Sequence, residues 1–277
     1  MRVAVFLVLL LVGASSWAGP LELKGKLEQG ALVIGKTEPG AHVRQDGEEV
    51  PVSPGGDFVI GFAREAPPVS RLEVELPDGR RLVRELKVEQ RKYNIQRIDG
   101  LPPAKVTPRK EADLKRIRED IAQAKKARAL VDERTDYLTG FQWPVKGRIS
   151  GVYGSQRVLN GKPRRPHFGV DIAGPVGKPV RAPADGIVTL AHPDMFFSGG
   201  TLIMDHGQGL SSSFLHLSKI LVKEGDRVKK GQIVAEMGAT GRVTGPHLDW
   251  RMNLRGKRVD PQTVVPPMEI KQTEKTR

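Results

Sequence analysis

The chain has 277 residues, with 45 Lys+Arg against 32 Asp+Glu for a formal net charge of +13, and 38% of it is hydrophobic. That balance excludes a multi-span membrane protein and fits one large or two medium folded domains. There is no cysteine, which excludes a disulfide framework, a thiolate nucleophile and a Cys-ligated zinc, so any metal must be held by His, Asp or Glu.

At the start, Met1-Arg2 precedes an unbroken apolar run from Val3 to Val12, then small residues up to Ser16-Trp17-Ala18. This reads as a signal peptide, residues 1–18, cleaved after Ala18. The run is shorter than the roughly 20 apolar residues of a membrane anchor. The mature protein is expected to be periplasmic or secreted, with no transmembrane segment after signal cleavage. There its basic surface meets anionic wall polymers and lipid headgroups. Nucleic acid is not an expected partner, because export separates the two and aromatic residues make up only 5% of the chain.

Residues 19–105 alternate short apolar runs with turn residues. Ala31-Leu32-Val33-Ile34-Gly35, Phe58-Val59-Ile60 and Leu72-Glu73-Val74-Glu75-Leu76 are separated by Pro39-Gly40, Gly55-Gly56-Asp57 and Pro77-Asp78-Gly79. Period-two runs with such punctuation predict a small antiparallel β sandwich. It holds one histidine, His42, read as a solvated loop residue, and a binding or spacer role is expected. Over 106–135 the period changes. Thr107 can cap a helix, Pro108 suits its first position, and Leu114, Ile117, Ile121 and Ala124 recur every three or four residues. The segment is a linking α-helix, a charged rod with one apolar stripe packed on a neighbouring domain.

Residues 136–267 are again β-rich, with strands predicted at Gly186–Leu190, Thr201–Asp205, Ser211–Leu215, Ile233–Met237 and His247–Met252; 268–277 is a polar, flexible tail. Five of the six histidines fall in this last domain. Pro166-His167-Phe168-Gly169-Val170-Asp171 spaces a His and an Asp four apart, and both are suited to zinc. In Gly245-Pro246-His247-Leu248-Asp249-Trp250, strand alternation puts His247 and Asp249 on one face and the apolar pair on the other. Phe214-Leu215-His216-Leu217 is a histidine among apolar neighbours, by default a satisfied core or edge residue. His206 ends a strand and His192 has no supporting neighbours. The basic segment Gly161-Lys162-Pro163-Arg164-Arg165, just before His167, is a solvated loop or one wall of a substrate groove.

Together these segments resemble the lysostaphin/LytM-type zinc metallopeptidases, which cut peptide cross-links in bacterial peptidoglycan. The resemblance covers about Trp143 to Pro261. It includes Arg148-Ile149-Ser150-Gly151-Val152-Tyr153-Gly154 as the opening strand and Pro179-Val180-Arg181-Ala182-Pro183-Ala184-Asp185-Gly186 as the first hairpin. Gly225-Asp226-Arg227-Val228-Lys229-Lys230-Gly231-Gln232 and Gly238-Ala239-Thr240-Gly241 match the late turns. The N-terminal β domain, Tyr93-Asn94-Ile95-Gln96-Arg97 and the helix resemble the front half of some exported proteobacterial members. A lipoyl- or biotinyl-carrier reading of Gly225–Gln232 fails for want of the displayed lysine motif.

The implied fold is mainly β: a sandwich, a linking helix and a C-terminal LytM-type antiparallel domain, a β-hybrid. The resemblance implies one Zn2+ per chain held by His167, Asp171 and Asp249, with His216 and His247 as catalytic histidines. Asp249 stands where the family usually has a second histidine, so replacing it by His is expected to keep the zinc. The implied activity is zinc-dependent hydrolysis of peptide bonds in peptidoglycan stems or cross-links. The alternative is a catalytically inactive LytM-type binding module that regulates another wall hydrolase. Implied partners are peptidoglycan and another wall hydrolase or a divisome or elongation component.

Overall fold

A computed structural model describes residues 21–98, 111–159 and 161–269. The signal peptide expected at 1–18 and most of the tail lie outside them. Strands β1 (Leu21–Lys24), β2 (Leu32–Thr37), β3 (His42–Gln45), β4 (Glu48–Val50), β5 (Asp57–Gly61), β6 (Val69–Glu75) and β7 (Arg81–Lys87) form the N-terminal unit. They make two sheets, β1-β2-β5 and β4-β3-β6-β7, antiparallel throughout. The period-two pattern decides which side chains go inside: on β6, Ser70, Leu72 and Val74 are buried and Val69 and Arg71 are exposed. Val33, Val43, Phe58, Ile60 and Leu72 from both sheets meet in one core. Gly35 is required there, because a Cβ would sit 2.1 Å from the Phe58 ring. His42 is exposed, but on β3 rather than in a loop.

Next come β8 (Ile95–Ile98) and helix α1 (Glu111–Ala127). Read from the sequence, 19–105 is one domain. In the structure β8 leaves the sandwich and pairs in parallel with β10 (Gln156–Leu159), which follows β9 (Arg148–Gly151). The segment read as a loop at 161–165 carries β11 (Lys162–Pro163), the third strand of that small sheet.

The remaining strands are β12 (Gly169–Ala173), β13 (Pro179–Arg181), β14 (Gly186–Met195), β15 (Gly199–Asp205), β16 (Leu210–Ile220), β17 (Arg227–Val228), β18 (Ile233–Met237), β19 (His247–Leu254) and β20 (Lys257–Val259). With β9 they form one antiparallel sheet of ten strands, whose main path runs β17-β14-β15-β16-β19-β12-β9. One face packs Val170, Ile172, Leu202, Met204, Phe214, Leu248, Trp250 and Met252 into the main core. Strand β15 is buried at every position. Its second face is covered by α1, where Ala124 and Ala127 rest on Leu190, Met195 and Ile203. Ile203 is in register with Ser213, Ser213 with Arg251, and Arg251 with Gly169. Paired residues share a face, so α1 lies on the same side of the sheet as His247, Asp249 and Arg251. Met268, grouped with the tail by its sequence, packs on the main core and receives the Gly147 N–H at sulfur. Among the described residues no helix is long and apolar enough to cross a membrane.

Candidate metal centre

Alternation along β19 separates two sets of side chains. Leu248, Trp250 and Met252 are fully buried in the core, and His247, Asp249 and Arg251 take the opposite face. On β12, Asp171 is in register with Asp249 and Gly169 with Arg251, so the two carboxylates stand side by side. His167 precedes β12 and is fixed through its backbone: its N–H donates to Ser155 O and its carbonyl accepts from Gly154 N, both at 2.8 Å. One oxygen or nitrogen from each of His167, Asp171 and Asp249 then lies within 4.8 Å of the others.

Glycines make room for this cluster. A Cβ at Gly169 would sit 2.4 Å from Asp249 Oδ1, and one at Gly151 would sit 2.2 Å from Asp171 Oδ2. His167 Nε2 and Asp171 Oδ1 are 3.2 Å apart, cut off from solvent, and neither makes a well-aligned hydrogen bond. Buried polar atoms without partners are uncommon. One imidazole nitrogen and two carboxylates form a donor set suited to zinc. The residues present fit the ion.

Asp249 is 2% exposed and is gripped by Arg251, whose Nε donates to Oδ1 and Oδ2 at 3.0 Å each while its Nη2 bonds Oδ2. Burial alone would raise the Asp249 pKa; the Arg251 guanidinium outweighs it and holds the carboxyl below its usual range. For His167, burial would lower the pKa, but Asp171 and Asp249 outweigh it and favour the cation. Arg251 is invisible as a site residue in the sequence, since only its position two residues beyond Asp249 marks it.

His216 and His247 sit beside the trio. Their ring centroids are 4.8 Å apart, and His247 Nε2 is 3.9 Å from Asp171 Oδ1. Each Nδ1 lies 2.9 Å from a carbonyl, Thr240 O for His216 and Gly245 O for His247. A carbonyl only accepts, so each ring carries its proton on Nδ1 and presents Nε2 as a base. Burial lowers the His216 pKa and so disfavours its cation. The default reading of His216 as a core histidine misses its backbone: φ is +66°, left-handed and unusual for a residue with a Cβ. The ladder to β15 is irregular nearby, and the His216 N–H donates to Ser198 O in the preceding turn. This kink brings the ring beside His247.

The other histidines stay apart. His206 is fully buried with its rings bonded to Asp185 O and Ser212 Oγ at 2.7 and 2.9 Å. Ser212 also receives the Trp250 indole N–H, so His206 belongs to the core face. His192 lies on β14 and accepts the Asp194 N–H at Nδ1.

The family model for Peptidase family M23 matches residues 165–261, which span His167 to β20. A crystal structure from Pseudomonas aeruginosa assigned to peptidase M23 superposes with a TM-score of 0.65 at 31% identity, covering 86% of this chain and 95% of that one. The Peptidoglycan DD-endopeptidase ShyA of Vibrio cholerae is 40% identical over 132 residues, 46% of this chain and 30% of that protein. The DD-carboxypeptidase/endopeptidase Mpg of Neisseria meningitidis is 38% identical over 132 residues, 47% of this chain and 30% of its own length. The chain thus spans less than a third of either curated relative. The near-complete overlap with the P. aeruginosa structure, at this identity and with the family model centred on the His167–Asp249 cluster, makes the chain a member of peptidase family M23.

Proposed function

We propose that the protein is a zinc metalloendopeptidase that hydrolyses peptide bonds in peptidoglycan stems or cross-links outside the cytoplasm. One observation carries the reading: three zinc-competent atoms lie within 4.8 Å of one another, with two imidazoles side by side at their edge. His167, Asp171 and Asp249 hold the ion in this account. When bound, zinc would supply a Lewis acid able to polarise a scissile carbonyl and to lower the pKa of a water toward neutrality. His216 and His247, with Nε2 free of the proton, accept a proton from the attacking water and return one to the leaving amine. His167 and Asp249 are organised by the Gly154 loop and by Arg251. The substrate class is supported by ShyA, whose name is that of a peptidoglycan DD-endopeptidase.

The second reading, a wall-binding regulator without hydrolysis, is favoured by Arg251, which already occupies Asp249. Digestion of purified peptidoglycan with the full chain, followed by identification of released muropeptides, separates the two. Hydrolysis is expected, and His216→Ala or His247→Ala should retain zinc while losing about 10²-fold or more in rate. Intact peptidoglycan after treatment with zinc-loaded protein would leave only the regulator.

A further inference from the structure

Four guanidinium groups gather on the sheet face that carries the metal centre. Asp249, Arg251 and Asn253 are successive same-face positions of β19, and Asn253 is in register with Arg258 on β20. Ser213 lies beside Arg251 in the ladder. It receives a hydrogen bond at 3.1 Å from Nη2 of Arg128, the residue that follows α1. Arg165, two residues before His167, holds its guanidinium 5.5 Å from the centroid of the Phe168 ring.

Arg251 has its counter-charge in Asp249. Among the described residues, Arg128, Arg165 and Arg258 make no ion pair with an acidic side chain. Arg128 Nε and Arg258 Nη1 are also buried without any hydrogen-bond partner. Burial, then repulsion from Arg251 and Arg165, pushes Arg128 down to about 10. Burial with repulsion from Arg128, Arg251 and Arg165 pushes Arg258 down to about 9. Like charges gathered in a partly buried site without an anion work against folding. Donors left unsatisfied there point to a ligand that brings the anion.

We propose that Arg128, Arg165 and Arg258 form a carboxylate-binding subsite that takes an acidic group of the peptide substrate beside the metal centre. The proposal rests on the peptidase reading for its substrate. Guanidinium forks match a carboxylate in bidentate fashion. Two-residue steps along a strand are about 7 Å, so Arg258, level with Asn253, lies about 13 Å along the sheet from Asp249. That is the reach of about four extended peptide residues. A carboxylate a few residues from the scissile bond meets this row, whereas a separate phosphate polymer has no reason to lie in line with β19.

The test uses the zinc-loaded full chain and N-acetylated, C-amidated alanine heptapeptides carrying Glu at each position in turn, with Gln at the same place as control. Calorimetry should show at least one Glu peptide binding about 10-fold or more tighter than its Gln twin. Arg258→Gln and Arg128→Gln should bring that ratio close to one, and Arg258→Lys should keep part of it. Arg258→Met should melt no lower than wild type, because it removes a buried unpaired cation; this separates a binding role from a structural one. Equal binding of the two series, or no measurable binding of either, overturns the subsite even if peptidoglycan is cut. Discrimination by a protein that leaves purified peptidoglycan intact upholds the subsite and sinks the hydrolase reading.

Discussion

At the scale of single residues, Asp249 and Arg251 act as one unit. Asp249 brings a negative charge to a position where the sequence resemblance implies a histidine, and the Arg251 guanidinium bonded to both of its oxygens offsets that charge. Together the pair is neutral, as an imidazole is, and it still offers an oxygen to a cation. The sequence alone leads one to expect that Asp249→His keeps the zinc. The structure adds a condition, since that change strands the Arg251 charge beside a divalent ion. Zinc affinity, measured by chelator competition, should be about 10-fold or more weaker in Asp249→His than in the double variant Asp249→His/Arg251→Gln, in line with typical effects of residues that orient metal ligands. Equal affinities would show that Arg251 is not coupled to the ligand position.

At the scale of elements, β16 serves both faces of the sheet. Its Phe214 fills the core, Ser212 satisfies His206 and Trp250, and a left-handed kink presents His216 to His247. Burial lowers the His206 pKa to about 4 against about 6.5 in an unfolded chain. A histidine depressed in the fold contributes stability above the unfolded pKa, and that stability is lost as pH falls from about 6.5 towards 4. The shift corresponds to about 3 kcal/mol at most. Melting temperature should drop across that window in wild type, and the drop should be shallower in His206→Gln; an identical slope in both would remove His206 as its source.

Most strands were legible in the sequence because period-two runs end at Gly and Pro turns. Ile233–Met237 matches as read, and His247–Met252 is short by two residues. The His247/Asp249 face was legible for the same reason. The role of His216 was not, because a positive φ reverses the side that alternation assigns. The pairing of β8 with β10 and the gathering of Arg128, Arg165 and Arg258 were hidden too, since each joins residues far apart in the chain.

At the scale of the whole molecule, the N-terminal part braces the centre. Arg64 Nε donates to Gly154 O at 2.9 Å and stacks 4.4 Å over the Tyr93 ring, which lies against Gly154; Gly154 in turn donates to His167 O. Arg91 reaches Asp260 at 2.8 Å, and α1 covers the sheet beside the centre on its other flank. The N-terminal part thus reaches the segment that carries His167 through Arg64, Tyr93 and Gly154, while the helix covers the sheet on the centre's side. These contacts have one purpose in this account, to hold three side chains around one zinc. The most direct measurement is the zinc content of the purified full chain and of His167→Ala and Asp249→Ala, dialysed against one chelator concentration. The account predicts about one zinc per wild-type chain and almost none in either variant, all three remaining folded; a zinc content in Asp249→Ala equal to wild type would contradict it.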